Sequence, residues 1–99
     1  MANGLRAPAE LTDQARQLFE ELAPDNPRAD VGALAMLCQA WADWREARAF
    51  IAKEGASTYV IRDKDGNVTA VREFPQVAAA RKAEALYLKL LPRLRLRRQ

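Results

Sequence analysis

Residues 31–54 read VGALAMLCQAWADWREARAFIAKE, and this stretch decides the fold. Its apolar side chains recur every three or four residues, which is the spacing of one face of an α-helix. The stretch has no proline, and its one glycine, Gly32, lies in the first turn. Asp30 is placed to cap the start of the helix, and Gly55 can end it because glycine adopts the left-handed conformation at little steric cost. At ~1.5 Å per residue this helix is about 36 Å long, which is longer than a compact small domain requires.

Two further helices are predicted, one before and one after the long helix. The first covers residues 11–23, where apolar residues recur at helical spacing and Thr12 can accept a backbone N–H of the first turn. Pro24 then begins a turn. The last helix covers residues 75–91, starts at a proline and is rich in alanine, and Pro92 is expected to end it.

The segment between the long helix and the last helix has the pattern of a β-hairpin. β-Branched and aromatic residues dominate on both sides of the turn Asp63-Lys64-Asp65-Gly66-Asn67. The alternating Asp and Asn residues resemble the start of a calcium loop, but such a loop needs glycine at its sixth position and Gly66 would be fourth. We therefore predict a plain turn. Two strands alone are marginal in water, so the hairpin must pack on the helices or pair with another copy.

The sequence thus predicts a mainly α fold, an antiparallel helical core of about three helices with a β-hairpin insertion. We expect a short flexible arm over residues 1–8, a helical oligomerisation domain over 9–92 with its hairpin at 57–73, and a basic tail over 93–99. A 99-residue chain with so long a helix has little core of its own, so we expect it to be oligomeric. The residues expected at the oligomer interface are Leu34, Leu37, Trp41, Trp44, Phe50, Ile51, Leu86 and Leu90.

Trp41 and Trp44 admit a second interpretation. Exposed aromatic side chains beside cations can stack on nucleic-acid bases. The two tryptophans share their helical spacing with Leu34, Leu37 and Ile51, however, and this favours a role as apolar anchors in a core or an interface.

Charge is divided unevenly along the chain. Residues 1–80 carry 9 basic and 12 acidic side chains, whereas residues 81–99 carry 7 basic and 1 acidic, so the net charge of +3 conceals a strongly basic end. A basic block of this kind contacts nucleic acid or another anionic partner, or only keeps the chain soluble. The candidate DNA-binding residues are Arg81, Lys82, Lys89, Arg93, Arg95, Arg97 and Arg98.

Several residue types that carry chemistry are missing. There is no histidine, the commonest general base and metal ligand, and the four glycines are too scattered for a phosphate-binding loop. The single cysteine, Cys38, lies on the apolar stripe of the long helix, where a buried structural thiol is expected. We therefore predict no enzymatic activity, no metal and no cofactor. No apolar run reaches the ~20 residues of a membrane span, and a lone cysteine is typical of a soluble protein in the reducing cytoplasm.

The first two predicted helices also have a recognisable order of residues. Residues 11–24 read LTDQARQLFEELAP, and residues 33–47 read ALAMLCQAWADWREA. The combination resembles the phage terminase small-subunit family, in which a Leu-Ala-Pro-like turn precedes an Asp-capped helix with a Cys-Gln-Ala run, two spaced aromatics and Arg-Glu-Ala. The last helix of that family starts at a proline and ends near another proline that is followed by spaced arginines. The places are taken here by Pro75, Pro92, Arg95 and Arg97.

This resemblance implies a ring-forming homo-oligomer that marks double-stranded viral DNA for packaging in the host cell cytoplasm. It also implies a separate terminase large subunit, which holds the ATPase and nuclease and which the small subunit regulates. The alternative is a protein-interaction adaptor whose basic tail docks an acidic partner without direct DNA recognition. A helix-turn-helix transcription factor agrees less well, because no short helix pair has a tight glycine-containing turn and a polar recognition helix.

Overall fold

The computed structural model describes residues 5–96. In chain order these residues form α1 (Asp13–Leu22), α2 (Val31–Glu54), β1 (Thr58–Arg62), β2 (Val68–Glu73) and α3 (Pro75–Leu94), with one 3₁₀ turn, Ala23–Asp25, after α1. α2 packs against both α1 and α3. The predicted mainly helical class, with an antiparallel hairpin between the second and third helices, is confirmed.

The ends of α2 are fixed by the two residues that the sequence indicates. The Asp30 carboxylate accepts a hydrogen bond from the backbone N–H of Ala33 at 2.9 Å. Gly55 ends the helix with φ 73°, a left-handed conformation that an L side chain would strain. Thr12 precedes α1 as predicted, but its side chain makes no cap bond. Instead its backbone N–H donates to Oε1 of Gln39 at 3.1 Å, and this bond ties the start of α1 to α2.

The hydrophobic core lies at one end of the molecule, where α1, the first half of α2 and the last turns of α3 meet. Its largest fully buried side chains are Phe19, Leu34, Leu37 and Cys38. Each large apolar side chain buried here stabilises the fold by about 1.5–3 kcal/mol. Leu5 and Ala7 also pack against this core, so the arm predicted for residues 1–8 is not free over its described part.

α3 continues through Pro92 to Leu94, so the prediction that Pro92 ends the helix is wrong. Proline cannot donate the helical hydrogen bond to the carbonyl four residues earlier, which belongs to Leu88. Leu88 is 58% exposed, so this carbonyl belongs to a residue on the solvent side of α3 and not to the core. Beyond Pro92, Leu94 and Leu96 pack against the core and hold the last turn in place. The predicted basic tail therefore begins inside the folded domain.

The hairpin projects from the helices. Its strands pair antiparallel with one β-bulge, and in the turn the Asp63 carboxylate accepts a hydrogen bond from the backbone N–H of Asn67 at 2.9 Å, as expected of a plain turn. Most strand side chains are exposed, Val71 by 63%. At the base of the hairpin the ring of Phe74 packs against Phe50 of α2. The hairpin is thus joined to the helices at its base and open along its strands.

The whole molecule is elongated, with extents of 67 × 23 × 22 Å and a radius of gyration of 18.1 Å. A compact chain of this length would have a radius of gyration of about 13 Å. Outside this core, the helices α2 and α3 form a layer only one helix thick, whose buried residues are the small Ala40, Ala47, Ala80 and Ala83. Within residues 5–96, a single chain therefore leaves both sides of the α2–α3 layer open.

Candidate functional site

Lys82, Lys89 and Arg93 lie on one side of α3, and we call them the basic stripe. Because each residue turns an α-helix by about 100°, their spacing of seven and four residues places them within about 40° of one another. All three side chains are exposed, and within residues 5–96 none of them forms a salt bridge. At ~1.5 Å per residue the stripe is about 16 Å long. It presents a row of exposed cations along α3.

Arg81 lies away from the basic stripe. It is about 100° around α3 from Lys82, and its guanidinium donates a hydrogen bond to the Glu73 carboxylate at 3.1 Å. Both side chains are largely exposed, so this ion pair contributes at most about 1 kcal/mol. The structure thus separates Arg81 from the other predicted DNA-binding residues and places it between α3 and the end of β2.

Arg95 follows α3 directly and extends the cationic surface. Its backbone is left-handed, with φ 47°, and its side chain is exposed. Arg93 and Arg95 both lie where the helix dipole is negative, so each also stabilises the end of α3, typically by about 0.3–1 kcal/mol. Arg97 and Arg98, the remaining predicted DNA-binding residues, lie outside the described residues.

Two grooves run along the α2–α3 layer, one on each side of the line where the helices touch. The first, which we call the Phe50 groove, has a volume of about 700 Å³. Its apolar lining includes Met36, Ala40, Phe50, Ala79, Ala83 and Leu86. Asp43 and Glu46 of α2 and Lys82 of α3 carry the charges of this groove.

The second groove, which we call the Trp44 groove, lies on the opposite side of the layer. Its apolar lining is formed by Trp41, Trp44, Ile51, Val77, Tyr87 and Leu88. The charged residues beside it are Arg48, Arg81 and Glu84. The guanidinium of Arg45 lies 5.0 Å above the Trp41 ring and adds a further cation at the α2 edge of this groove.

These features can be set beside known proteins. Residues 12–97 match the family model of the phage terminase small subunit. The chain belongs to this family. The resemblance noted in residues 11–24 and 33–47 is thereby confirmed, and the family places the chain in phage DNA packaging. No curated protein and no solved structure matches the chain.

In this terminase small subunit, some of the residues predicted for the oligomer interface lie at the surface and others lie in the core. Trp41, Trp44, Phe50, Ile51 and Leu86 are partly exposed and line the two grooves. Leu34, Leu37 and Leu90 are buried inside the single chain, so in this conformation they have no surface to offer a second copy. Their place is the core of the subunit, because α1 covers the face of α2 that a lone helix would leave open.

Sequence reasoning missed two exposed apolar residues that line the grooves of this small subunit, Met36 and Leu88. Met36 is 51% exposed at the Phe50 groove, and Leu88 is 58% exposed at the Trp44 groove. Both lie off the apolar stripes from which the interface was predicted. The available signal was an apolar side chain at a helix position where the pattern calls for a polar one.

Cys38 is a structural residue, as predicted. It is fully buried, and burial raises the pKa of its thiol to about 12. Because the thiolate is the nucleophile and the metal ligand, a protonated and inaccessible thiol can serve as neither at neutral pH. Over residues 5–96 there is no cluster of three or more side chains suited to hold a metal ion. No helix in that range has the length and hydropathy to cross a membrane.

Proposed function

We propose that this chain is a non-catalytic terminase small subunit that binds double-stranded viral DNA as a homo-oligomer, with a ring as the expected form. In this proposal it recognises the genome and regulates the ATPase and nuclease of the terminase large subunit in the host cell cytoplasm. The observation that carries the DNA contact is the basic stripe with Arg95, a row of exposed cations without acidic neighbours in salt-bridge contact.

Cations of this kind bind DNA through its phosphates. Each phosphate that a Lys or Arg neutralises releases a condensed counterion, and this release favours binding without regard to sequence. A few such contacts per copy are weak, but an oligomer repeats them, and the repeated contacts raise the overall affinity by multivalency. Contacts to phosphate position a protein on DNA rather than read its bases.

Stabilisation of the helix end does not account for the whole stripe. The dipole effect falls off within the last turn of a helix. Arg93 lies in the last turn of α3, but Lys89 is one turn further back and Lys82 about three turns back. Lys82 and Lys89 are therefore cations without a structural role in ending the helix, and a DNA contact accounts for Lys89 together with Arg93 and Arg95, while Lys82 also borders the Phe50 groove.

The test removes charge from the cationic end of α3. The variant carries Lys89→Gln, Arg93→Gln and Arg95→Asn, because asparagine tolerates the left-handed backbone at position 95. Lys82 is left unchanged because it also borders the Phe50 groove. The matched control removes the same charge near the opposite end of the molecule, through Lys53→Gln, Lys64→Gln and Arg72→Gln.

We expect the cationic-end variant to bind a DNA duplex at least roughly tenfold more weakly at low salt, and the control variant to stay within about threefold of the natural chain. Both variants should keep the oligomeric mass of the natural chain. Unchanged DNA affinity in the cationic-end variant, together with abolished binding to the large subunit, would contradict the proposal and support the adaptor alternative.

A further inference from the structure

We propose that copies of this chain join through two different surfaces, with the Phe50 groove of one copy against the Trp44 groove of the next. In this arrangement the α2–α3 layers of neighbouring copies stand side by side and run in the same direction. The inference rests on the proposed function, because it names the contact through which the DNA-binding oligomer forms. The occupant of each groove is a second copy of this chain.

Both sides of the layer have the character of an interface that a single chain leaves uncovered. Each groove is lined mainly by apolar side chains, and each bears an aliphatic residue that is more than half exposed, Met36 on one side and Leu88 on the other. Exposed apolar surface in a continuous groove, rimmed by charge, is typical of protein contact sites.

The charges of α2 show which surface fits which. Asp43 and Glu46 lie along the Phe50 groove. Arg48 lies along the Trp44 groove, and Arg45 flanks it over the Trp41 ring. The edge of α2 along the Phe50 groove is therefore acidic at Asp43 and Glu46, and the edge along the Trp44 groove is basic at Arg48, so a second copy supplies the complementary charge for each edge.

The positions of these charges along the helix axis fit a parallel arrangement of neighbouring copies. Glu46 is one residue from Arg45 and two from Arg48, which corresponds to about 1.5–3 Å along the helix axis. When two copies stand side by side with their α2 helices parallel, the acidic edge of one copy faces the basic edge of the other at nearly the same position along the helix axis. Oppositely charged groups across an interface fix its register and exclude other arrangements.

A two-fold symmetric dimer fits less well. Such a dimer uses the same patch on both copies. A two-fold dimer that sets α2 on α2 would bring Asp43 and Glu46 towards the same acidic residues of the other copy at the Phe50 groove, and Arg48 towards Arg48 at the Trp44 groove. Either dimer would also leave the second groove open. Contact between different surfaces covers both grooves and closes into a cyclic assembly when the rotation allows.

One consequence concerns DNA. Parallel copies place every Arg95, and with it the end of every basic stripe, at the same end of the assembly. All of the hairpins then lie at the opposite end. The weak phosphate contacts of the separate copies are in this way gathered on one surface.

The first experiment uses two variants, each with one groove blocked. Met36→Glu places a charge in the Phe50 groove and Leu88→Glu places one in the Trp44 groove, both at exposed positions of a helix where glutamate is well tolerated. We expect each variant alone to have the mass of one chain by native mass spectrometry, with the helical circular dichroism of the natural chain. We expect an equal mixture of the two to form a complex of two chains, one of each kind, because one intact pair of grooves remains.

The second experiment exchanges charges at the exposed edges of α2. Glu46→Arg alone and Arg48→Glu alone should each weaken assembly, at least roughly tenfold in the concentration at half-assembly. The chain that carries both substitutions should recover the natural mass, because the acidic and basic edges have then changed places. These rim substitutions leave the apolar groove linings untouched, so they test the inference even where a groove variant fails to fold.

The outcomes separate this inference from the proposed function. Suppose that the natural chain forms an oligomer and that the Met36→Glu or the Leu88→Glu variant forms an oligomer of the same mass. This result overturns the contact between different grooves, but it does not contradict the proposed oligomer. A mixture of the two variants that stays monomeric, or a double charge exchange without recovery, also overturns the contact between different grooves. A natural chain that is monomeric at all concentrations up to the micromolar range overturns both.

Discussion

The rings of Phe50 and Phe74 meet edge to face, with centroids 5.3 Å apart and planes inclined by 77°. The Tyr59 ring lies 5.0 Å from Phe74 on the hairpin side. Edge-to-face packing of aromatic rings is worth about 0.5–1.5 kcal/mol beyond the area that the rings bury. Phe74, between β2 and α3, thus connects the hairpin to the long helix α2.

Loss of the Phe74 ring should release the hairpin without melting the helices. We predict that Phe74→Ala lowers the free energy of unfolding by about 1–2 kcal/mol, less than a fully buried phenylalanine would lose because Phe74 is only half-buried. Amide hydrogen exchange should accelerate in β1 and β2 and stay slow in α1 and the first half of α2. Val71→Ala, an exposed change in the same hairpin, is the control and should leave exchange in the hairpin nearly unchanged. Unaltered exchange in the hairpin of Phe74→Ala would contradict this role.

The end of α3 should matter for folding as well as for charge. Leu94 and Leu96 pack against the core, so we predict that deletion of residues 93–99 lowers the free energy of unfolding by about 2 kcal/mol, or Tm by roughly 8–16 °C. Deletion of residues 97–99 alone keeps both leucines and should leave Tm within about 2 °C. Thermal unfolding followed by circular dichroism measures both. Equal Tm values for the two truncated chains would show that the leucines contribute nothing to the fold.

Cys38 should make the stability fall at alkaline pH. Burial raises the pKa of the thiol from 9.0 to about 12, so above pH 9 the unfolded chain loses this proton while the folded chain keeps it. The contribution is therefore constant below pH 9, and stability declines as the pH rises from 9 towards 12. We predict that the stability difference between the natural chain and Cys38→Ala is constant from pH 6 to 8 and shifts in favour of the variant above pH 9. Urea unfolding at each pH measures it, and a difference that stays constant up to pH 11 would show that the thiol ionises alike in both states.

Local sequence signals predicted the elements well where a single residue controls the backbone. Asp30 and Gly55 mark the ends of α2 because a capping carboxylate and a left-handed glycine act within one turn. Pro92 misled the prediction, since its effect on α3 depends on whether water reaches one carbonyl and whether Leu94 finds a core to pack on. Those conditions are tertiary and are not encoded in the neighbouring residues.

The candidate surfaces could be predicted only in part for a similar reason. Composition identified the basic residues, but only their angular positions around α3 show that Lys82, Lys89 and Arg93 share one side. Arg81 lies on another side and pairs with Glu73. The apolar stripe of α2 contains core residues such as Leu37 as well as groove residues. The sequence pattern could not separate the two groups, because it does not show which face of α2 is covered by α1.

The most direct test of DNA binding by the cationic end of α3 is the salt dependence of duplex affinity. For the natural chain we predict that the logarithm of the association constant falls linearly with the logarithm of salt concentration, measured by fluorescence anisotropy between about 50 and 300 mM. The slope should be shallower for the variant that carries Lys89→Gln, Arg93→Gln and Arg95→Asn, by about 0.9 for each phosphate that it no longer neutralises. The control that carries Lys53→Gln, Lys64→Gln and Arg72→Gln should keep the slope of the natural chain. Equal slopes for the natural chain and the cationic-end variant would contradict the claim that these side chains bind DNA phosphates.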